Sequence, residues 1–200
     1  MSVRRQLPWL IGGTVWLAGV IAGLVLVAQY DYAAGPAGST RSRWPSHSRI
    51  PLSKHDHTLI MFAHPRCPCT RASLGELERL VARCPEGLTC WVVFFVPTGA
   101  AENWKQTDQW STASRIPHVR VMSDVDGAEA SLFHAMTSGH AMLYGPAGDL
   151  LFSGGITTAR GHAGDNDGRS AIEAVLLNST PATRTTPVYG CPIVLSDATK

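Results

Sequence analysis

Residues 58–63, Thr-Leu-Ile-Met-Phe-Ala, form a short unbroken apolar run that stops at His64-Pro65-Arg66-Cys67-Pro68-Cys69, and a helical repeat follows. A run of that length, closed by a proline-containing turn, reads as a buried central strand. Pro68 then stands where a helix begins, and Ala72, Leu74, Leu77, Leu80 and Val81 recur on one helical face until Cys84-Pro85 ends it. A strand apolar on both faces needs cover on both sides of its sheet, so this junction commits the chain to an α/β architecture.

The alternation continues downstream. Residues 89–96 read as a second buried strand closed by Pro97, residues 102–114 as an exposed helix carrying Trp104 and Trp110, and residues 119–122 as a third strand. A turn at Asp124, Asp126 and Gly127 leads to a short helix over 128–135. Residues 141–152 place a Gly/Pro turn between two apolar runs, which reads as a β-hairpin. Asp167 or Ser170 is positioned to cap a last helix through Ala171, Val175 and Leu176. The resulting order is βαβαβαββα, with parallel strands first and an antiparallel hairpin last. There is no internal repeat.

Residues 9–28 contain no charged side chain, and as a helix they extend roughly 30 Å, the thickness of a bilayer's hydrocarbon core. Arg4 and Arg5 precede this run and Asp31 follows it. The positive-inside rule therefore predicts residues 1–8 in the cytoplasm and a single-pass transmembrane helix over residues 9–30 in the cytoplasmic (inner) membrane. Everything later falls on the periplasmic or extracytoplasmic side. A cleaved signal peptide is the competing reading and leads to the same compartment, although its apolar region usually runs only about 7–15 residues. Residues 31–54 mix Gly, Pro, Ser and Arg without an apolar period and read as a flexible spacer, residues 55–178 as the folded domain, and residues 179–200 as a C-terminal tail. About 145 residues beyond the spacer suit one domain rather than two. A composition of 44% hydrophobic and 16% charged residues excludes a disordered chain. A net charge of +2 with scattered arginines gives no footprint for nucleic acid.

A cysteine at the first turn of a helix meets free N–H groups and the positive end of the helix dipole, both of which favour a thiolate. Cys67 and Cys69 are accordingly the candidate catalytic pair: one thiol attacks a disulfide and the other resolves the mixed disulfide by intramolecular exchange. Other readings of the pair stay open. Two buried structural thiols would look the same, a copper or zinc site would use Cys67 and Cys69 with His64 and His140, and a peroxidase-like enzyme would oxidise one thiol to a sulfenic acid.

The succession of strand, Phe62-Ala63-His64-Pro65-Arg66-Cys67-Pro68-Cys69, helix, parallel strands and closing hairpin resembles the thioredoxin superfamily over roughly residues 55–178. Cys67-Pro68-Cys69-Thr70-Arg71, Thr137-Ser138-Gly139-His140, the loop over residues 153–166 and Tyr189-Gly190-Cys191-Pro192 are similar to segments of the RedB-like group of bacterial envelope proteins. The resemblance implies an α/β thioredoxin-like fold, a central mixed sheet flanked by helices, behind one N-terminal transmembrane helix. It also implies thiol–disulfide exchange with a protein thiol or disulfide substrate, a membrane-side reductant as partner, and no cofactor.

Two departures from that pattern bear on the chemistry. The usual Cys-x-x-Cys has become Cys-x-Cys. An alignment without a gap matches Cys69 to the second family cysteine and Arg66 to the first, whereas a one-residue deletion makes Cys67 the nucleophile; cap geometry ahead of Pro68 favours Cys67. No proline precedes the hairpin, where the superfamily carries one facing the cysteines, and Thr137, Ser138, Gly139 and His140 line the corresponding substrate groove.

The second hairpin strand returns to the cysteine end, so the loop over residues 154–168 faces the site and offers Arg160 and His162 to lower a thiol pKa or move a proton. Cys191 is a further candidate: folded back it exchanges with Cys67 or Cys69, and otherwise it pairs with another molecule or is buried. Cys84 and Cys90 flank a short Pro-Gly loop and are the candidate structural disulfide of an extracytoplasmic domain.

Overall fold

Helix α1 (Val3–Asp31) takes up the N-terminal apolar run. From Trp9 to Asp31 its mean hydropathy is 2.3, and the side chains from Trp9 to Tyr30 are all exposed. This helix is long and apolar enough to cross a membrane. The computed structural model describes residues 3–36 and 38–193, and it separates into a first unit ending at Ala33 and a second beginning at Ala34.

The second unit is built on five strands, β1 (His57–Ala63), β2 (Leu88–Val96), β3 (Val119–Val125), β4 (His140–Tyr144) and β5 (Leu150–Gly154), in spatial order β3-β2-β1-β4-β5. β1 pairs in parallel with β2 and β2 with β3, while β4 runs antiparallel to both β1 and β5. The connecting helices are α2 (Thr70–Arg83), α3 (Asp108–Arg115), α4 (Ala128–Phe133) and α5 (Asp167–Leu176). Alternation along β1 splits the core in two. Leu59, Met61 and Ala63 pack with Leu74, Leu77 and Leu80 of α2 and Ile172 of α5 on one face. Ile60 and Phe62 pack with Phe133 of α4, Met142 and Tyr144 on the other. The unbroken apolar run of the sequence is thus a strand covered on both sides, as such a run requires.

The single helix expected over residues 102–114 is divided. A short 3-10 turn, Glu102–Trp104, ends where the Trp104 indole N–H bonds to the Phe95 carbonyl at 3.0 Å. Thr107 then starts α3 afresh by accepting the Trp110 N–H. Neither Asp167 nor Ser170 caps α5; Asn166 does, through the Arg169 N–H at 2.8 Å. Cys84 and Cys90 are both free thiols, so the expected disulfide is not formed. Cys90 is enclosed in the first core cluster, and Cys84 closes α2 beside Arg83 and Glu173.

Beyond Ala33, the segment read as a flexible spacer is packed onto the domain. Trp44 sets its ring edge-on to Phe133 and Tyr144, each with ring centroids 5.1 Å apart, and Ile50 is wholly buried in the second core cluster. Burying one such aliphatic side chain contributes about 2 kcal/mol. The backbone is tied as well: Trp44 N–H bonds to Gly148, Leu150 N–H to Ser42, and Gly35 N–H to Val188. Arg49 and Ser48 complete the attachment at the buried carboxylate of Glu129. The tail is packed in the same way up to residue 193. Ser153 N–H bonds to the Arg184 carbonyl at 3.0 Å, Val188 is buried, and Ile193 lies in the second core cluster.

Candidate active site

β1 ends at Ala63 and α2 begins at Thr70, and the residues between them fold into tight turns. Cys67 N–H bonds back to the His64 carbonyl, and Thr70 N–H and Arg71 N–H bond to the carbonyls of Cys67 and Pro68. The three-residue spacing of these bonds extends the helix's first turn back to Pro68, where the ring's fixed φ and missing N–H cost nothing. The N–H groups of Cys69 and Thr70 converge on the Cys67 sulfur. A hydroxyl network holds the turn against the segment before β4. Thr70 Oγ1 donates to the His64 carbonyl at 3.2 Å, Ser138 Oγ lies 2.8 Å from Thr70 Oγ1, and His64 N–H donates to Ser138 Oγ at 2.9 Å.

The third thiol at this place is that of Cys191. Its sulfur lies 3.0 Å from that of Cys67, and its backbone N–H points at the Cys67 sulfur at 3.4 Å. Cys67 and Cys69 are both buried. Burial pushes the Cys67 thiol up, but hydrogen bonds from the Cys191 thiol and from the N–H groups of Cys191, Cys69 and Thr70 outweigh it, and the net shift is downward. Burial and then the charge of Cys67 push Cys69 up, with Arg160 acting in the opposite direction. Burial, together with the bond to Cys67, pushes Cys191 up to about 12. One thiol of the three is set to ionise first, and the other two keep their protons beside it.

The structure brings some of the other expected residues to this centre and leaves others away from it. Arg160 reaches it: the guanidinium donates to the Gly190 carbonyl at 2.8 Å and acts on both Cys69 and Cys191. His162 does not. It is exposed, and its Nδ1 is bonded to the Arg160 carbonyl at 2.8 Å. His64 stacks on Phe95 with centroids 5.8 Å apart and lies edge-on to Trp104; burial, then Arg66, lowers its pKa. Arg66 lies over the Trp104 ring at 4.1 Å. These side chains, with Cys67, Cys191 and Ile193, border a cavity of about 480 Å³ whose wall is mostly apolar.

Of the residues expected to line a substrate groove, Thr137 and Ser138 are buried, and Gly139 takes a φ of +90° that suits glycine while its N–H bonds to Phe62. His140 is buried and bonds through Nε2 to Ser153 Oγ at 2.8 Å. The copper or zinc ligand set Cys67, Cys69, His64 and His140 is therefore not assembled, and among the described residues no three His, Cys, Asp or Glu side chains form a metal-binding group.

Sequence reasoning missed the Thr70 hydroxyl, the aromatic wall of Phe95 and Trp104, and the clip that holds the Arg160 loop. In that clip the buried Glu76 carboxylate of α2 accepts from Arg169 at 2.8 Å, from Gly164 N–H at 2.8 Å and from Asn166 Nδ2 at 3.3 Å. The one signal in the sequence was a Glu set among the apolar positions of α2.

No family model and no curated protein matches the chain. Solved structures do. An uncharacterized conserved protein from Geobacillus kaustophilus aligns over 84% of this chain and 94% of its own, with a TM-score of 0.59 and 18% identity. A hypothetical protein from Sinorhizobium meliloti aligns over 80% of this chain and 93% of its own, at 0.57 and 19%. A secreted Mycobacterium tuberculosis disulfide oxidoreductase aligns over 64% of this chain and 84% of its own, at 0.46 and 16%. The cysteine motif stands between the central strand and its helix, two parallel strands follow on one side, and an antiparallel hairpin closes the other. The fold is thioredoxin-like. At these identities the likeness to solved structures is one of fold, and the chemistry rests on the thioredoxin-like domain's own residues.

Proposed function

We propose that the domain is a thiol–disulfide oxidoreductase acting on protein thiols or disulfides outside the cytoplasmic membrane, anchored by α1, with Cys67 as nucleophile and Cys69 as resolving thiol. The observation that carries this reading is the environment of Cys67, where three backbone N–H groups and one thiol are directed at a single sulfur whose pKa they lower against the effect of burial. A thiolate stabilised in that way is the attacking species in disulfide exchange.

In the reaction, the Cys67 thiolate bonds one sulfur of a client disulfide and the client's other sulfur leaves as a thiolate. Cys69 keeps its proton while Cys67 is charged. Once that charge is consumed in the mixed disulfide its restraint disappears, and Arg160 favours ionisation of Cys69. The Cys69 thiolate then bonds the Cys67 sulfur and frees the client's second thiolate. Two cysteines of the domain are oxidised and one client disulfide is reduced, so turnover needs a membrane-side reductant supplying two electrons and two protons. Arg4 and Arg5 before the apolar run and Asp31 after it support an extracytoplasmic domain.

Mixed-disulfide trapping tests the roles. In a chain that also carries Cys191→Ser, Cys69→Ser leaves the attacking thiol without a resolver and accumulates client adducts at Cys67, while Cys67→Ser forms none. Adducts in the Cys67→Ser chain, or none in either, contradict the assignment.

A further inference from the structure

Residues 191–193 run antiparallel to residues 136–138, the segment bonded to the cysteine turn through Ser138. Ser138 N–H donates to the Cys191 carbonyl at 2.8 Å and Ile193 N–H to the Met136 carbonyl at 2.9 Å, with Thr137 and Pro192 paired in antiparallel register between them. Addition of an extended segment to exposed backbone is a recurrent way for a domain to bind a peptide. Here the added segment carries a cysteine, and its sulfur is 3.0 Å from Cys67. Arg160 holds the segment by the Gly190 carbonyl. A Cβ at Gly190 would run into the Ser138 carbonyl oxygen, so only glycine permits this approach. Cys67 is 1% exposed, so no outside sulfur reaches it while the segment is in place.

We propose that residues 190–193 are a tethered substrate: Cys191 exchanges with Cys67 as a client cysteine does, and a client enters the groove by displacing this segment. The proposal rests on the oxidoreductase reading of Cys67. It also names the client class, an extended segment with glycine immediately before its cysteine, because the groove admits no side chain at the position of Gly190.

The steps balance with glutathione disulfide as oxidant. The Cys67 thiolate bonds one glutathione sulfur, and the other glutathione leaves as a thiolate. Cys191 sulfur then bonds Cys67 sulfur and its proton passes to the departing second glutathione thiolate. Two protein thiols become one disulfide and one glutathione disulfide becomes two thiols. Attack of Cys69 on the Cys67 sulfur next breaks the bond to Cys191, the Cys69 proton passing to Cys191, and releases the segment with no net change in electrons.

The test uses the full chain in detergent micelles, oxidised with glutathione disulfide, blocked at remaining thiols and digested with trypsin without reduction. Cleavage after Arg66, Arg71 and Arg184 places Cys67 and Cys69 in one peptide and Cys191 in another. In Cys69→Ser, which cannot carry the last step, the expected result is a disulfide joining these two peptides, absent when Cys67→Ser is introduced instead. In the reduced chain, Gly190→Ala breaks the two backbone bonds of the pairing and raises the rate of Cys67 alkylation about 30-fold. An unchanged rate in Gly190→Ala, or a Cys67 that takes up glutathione while Cys191 stays free, overturns the tethered substrate and leaves the oxidoreductase reading standing. A Cys67 that takes up no disulfide partner at all overturns both.

Discussion

Replacing Cys191 with alanine removes one of the four donors directed at the Cys67 sulfur, the thiol at 3.0 Å, and leaves the three backbone N–H groups in place. A hydrogen bond to a charged group is worth about 1.5–3 kcal/mol, and the S–H group, a weak donor, belongs at the lower end. A loss of about 1.5 kcal/mol lowers the thiolate-to-thiol ratio of Cys67 at neutral pH about tenfold. Removing the side chain also lets water nearer, which acts in the opposite direction. Cys191→Ser separates the two effects, since serine is similarly small but keeps an O–H donor. The assay follows thiolate ultraviolet absorbance against pH in a Cys69→Ser background, after subtraction of the same titration with Cys67→Ser. The thiolate fraction is expected to fall in Cys191→Ala relative to Cys191→Ser. Equal fractions in the two variants, or a higher one with alanine, refute the idea that Cys191 stabilises the Cys67 thiolate.

Two further outcomes follow from buried charge. Burial holds His140 at about 4 against 6.5 for the free side chain, so the unfolded chain takes up a proton that the native state refuses. Stability from this site is therefore complete above pH 6.5 and is lost as pH falls towards 4, by about 3 kcal/mol. Denaturant titrations across that window check it, and His140→Asn flattens the loss. Glu76→Ala takes the buried carboxylate of the clip from Arg169, which keeps Asp165 and Glu173, and from the Gly164 N–H; it costs about 2–3 kcal/mol, which lowers the melting temperature of a domain this size by about 8 °C. Thermal unfolding read by near-ultraviolet circular dichroism measures it, and a change under about 3 °C contradicts the structural role of the clip.

The order of elements was legible because β1, β2 and the hairpin strands are apolar runs set off by Pro or Gly, and helices α2 and α5 carry an apolar stripe of helical period. Helix α2 illustrates it: Leu74, Leu77, Leu80 and Val81 were read as one face, and all four are buried. The cysteine turn was legible for the same reason, since a strand followed by Pro68 fixes where the helix starts. What escaped were interactions with no local pattern. Trp44 and Ile50 are isolated apolar residues in a polar segment, and only the groove beside α4 and β4 gives them a place. The Glu76–Arg169 pair spans 93 residues, and the Cys67–Cys191 approach spans 124. Contacts of that length depend on where the sheet brings the loops, and residue type alone offered Cys191 as one of several thiols able to reach the site. The helix expected over residues 102–114 failed locally instead, because the Trp104 bond to Phe95 and the Thr107 cap outweigh its continuous helical period.

The central claim is that Cys67 forms a reversible disulfide used in exchange. Equilibrating the full chain in detergent with glutathione buffers of graded ratio, then counting the blocked and unblocked forms of Cys67 by mass spectrometry, tests it directly. The account predicts a reversible two-electron couple with a potential between about −270 and −120 mV, the span of known exchange catalysts. A Cys67 that stays fully reduced across the whole series, or that oxidises without returning, contradicts it.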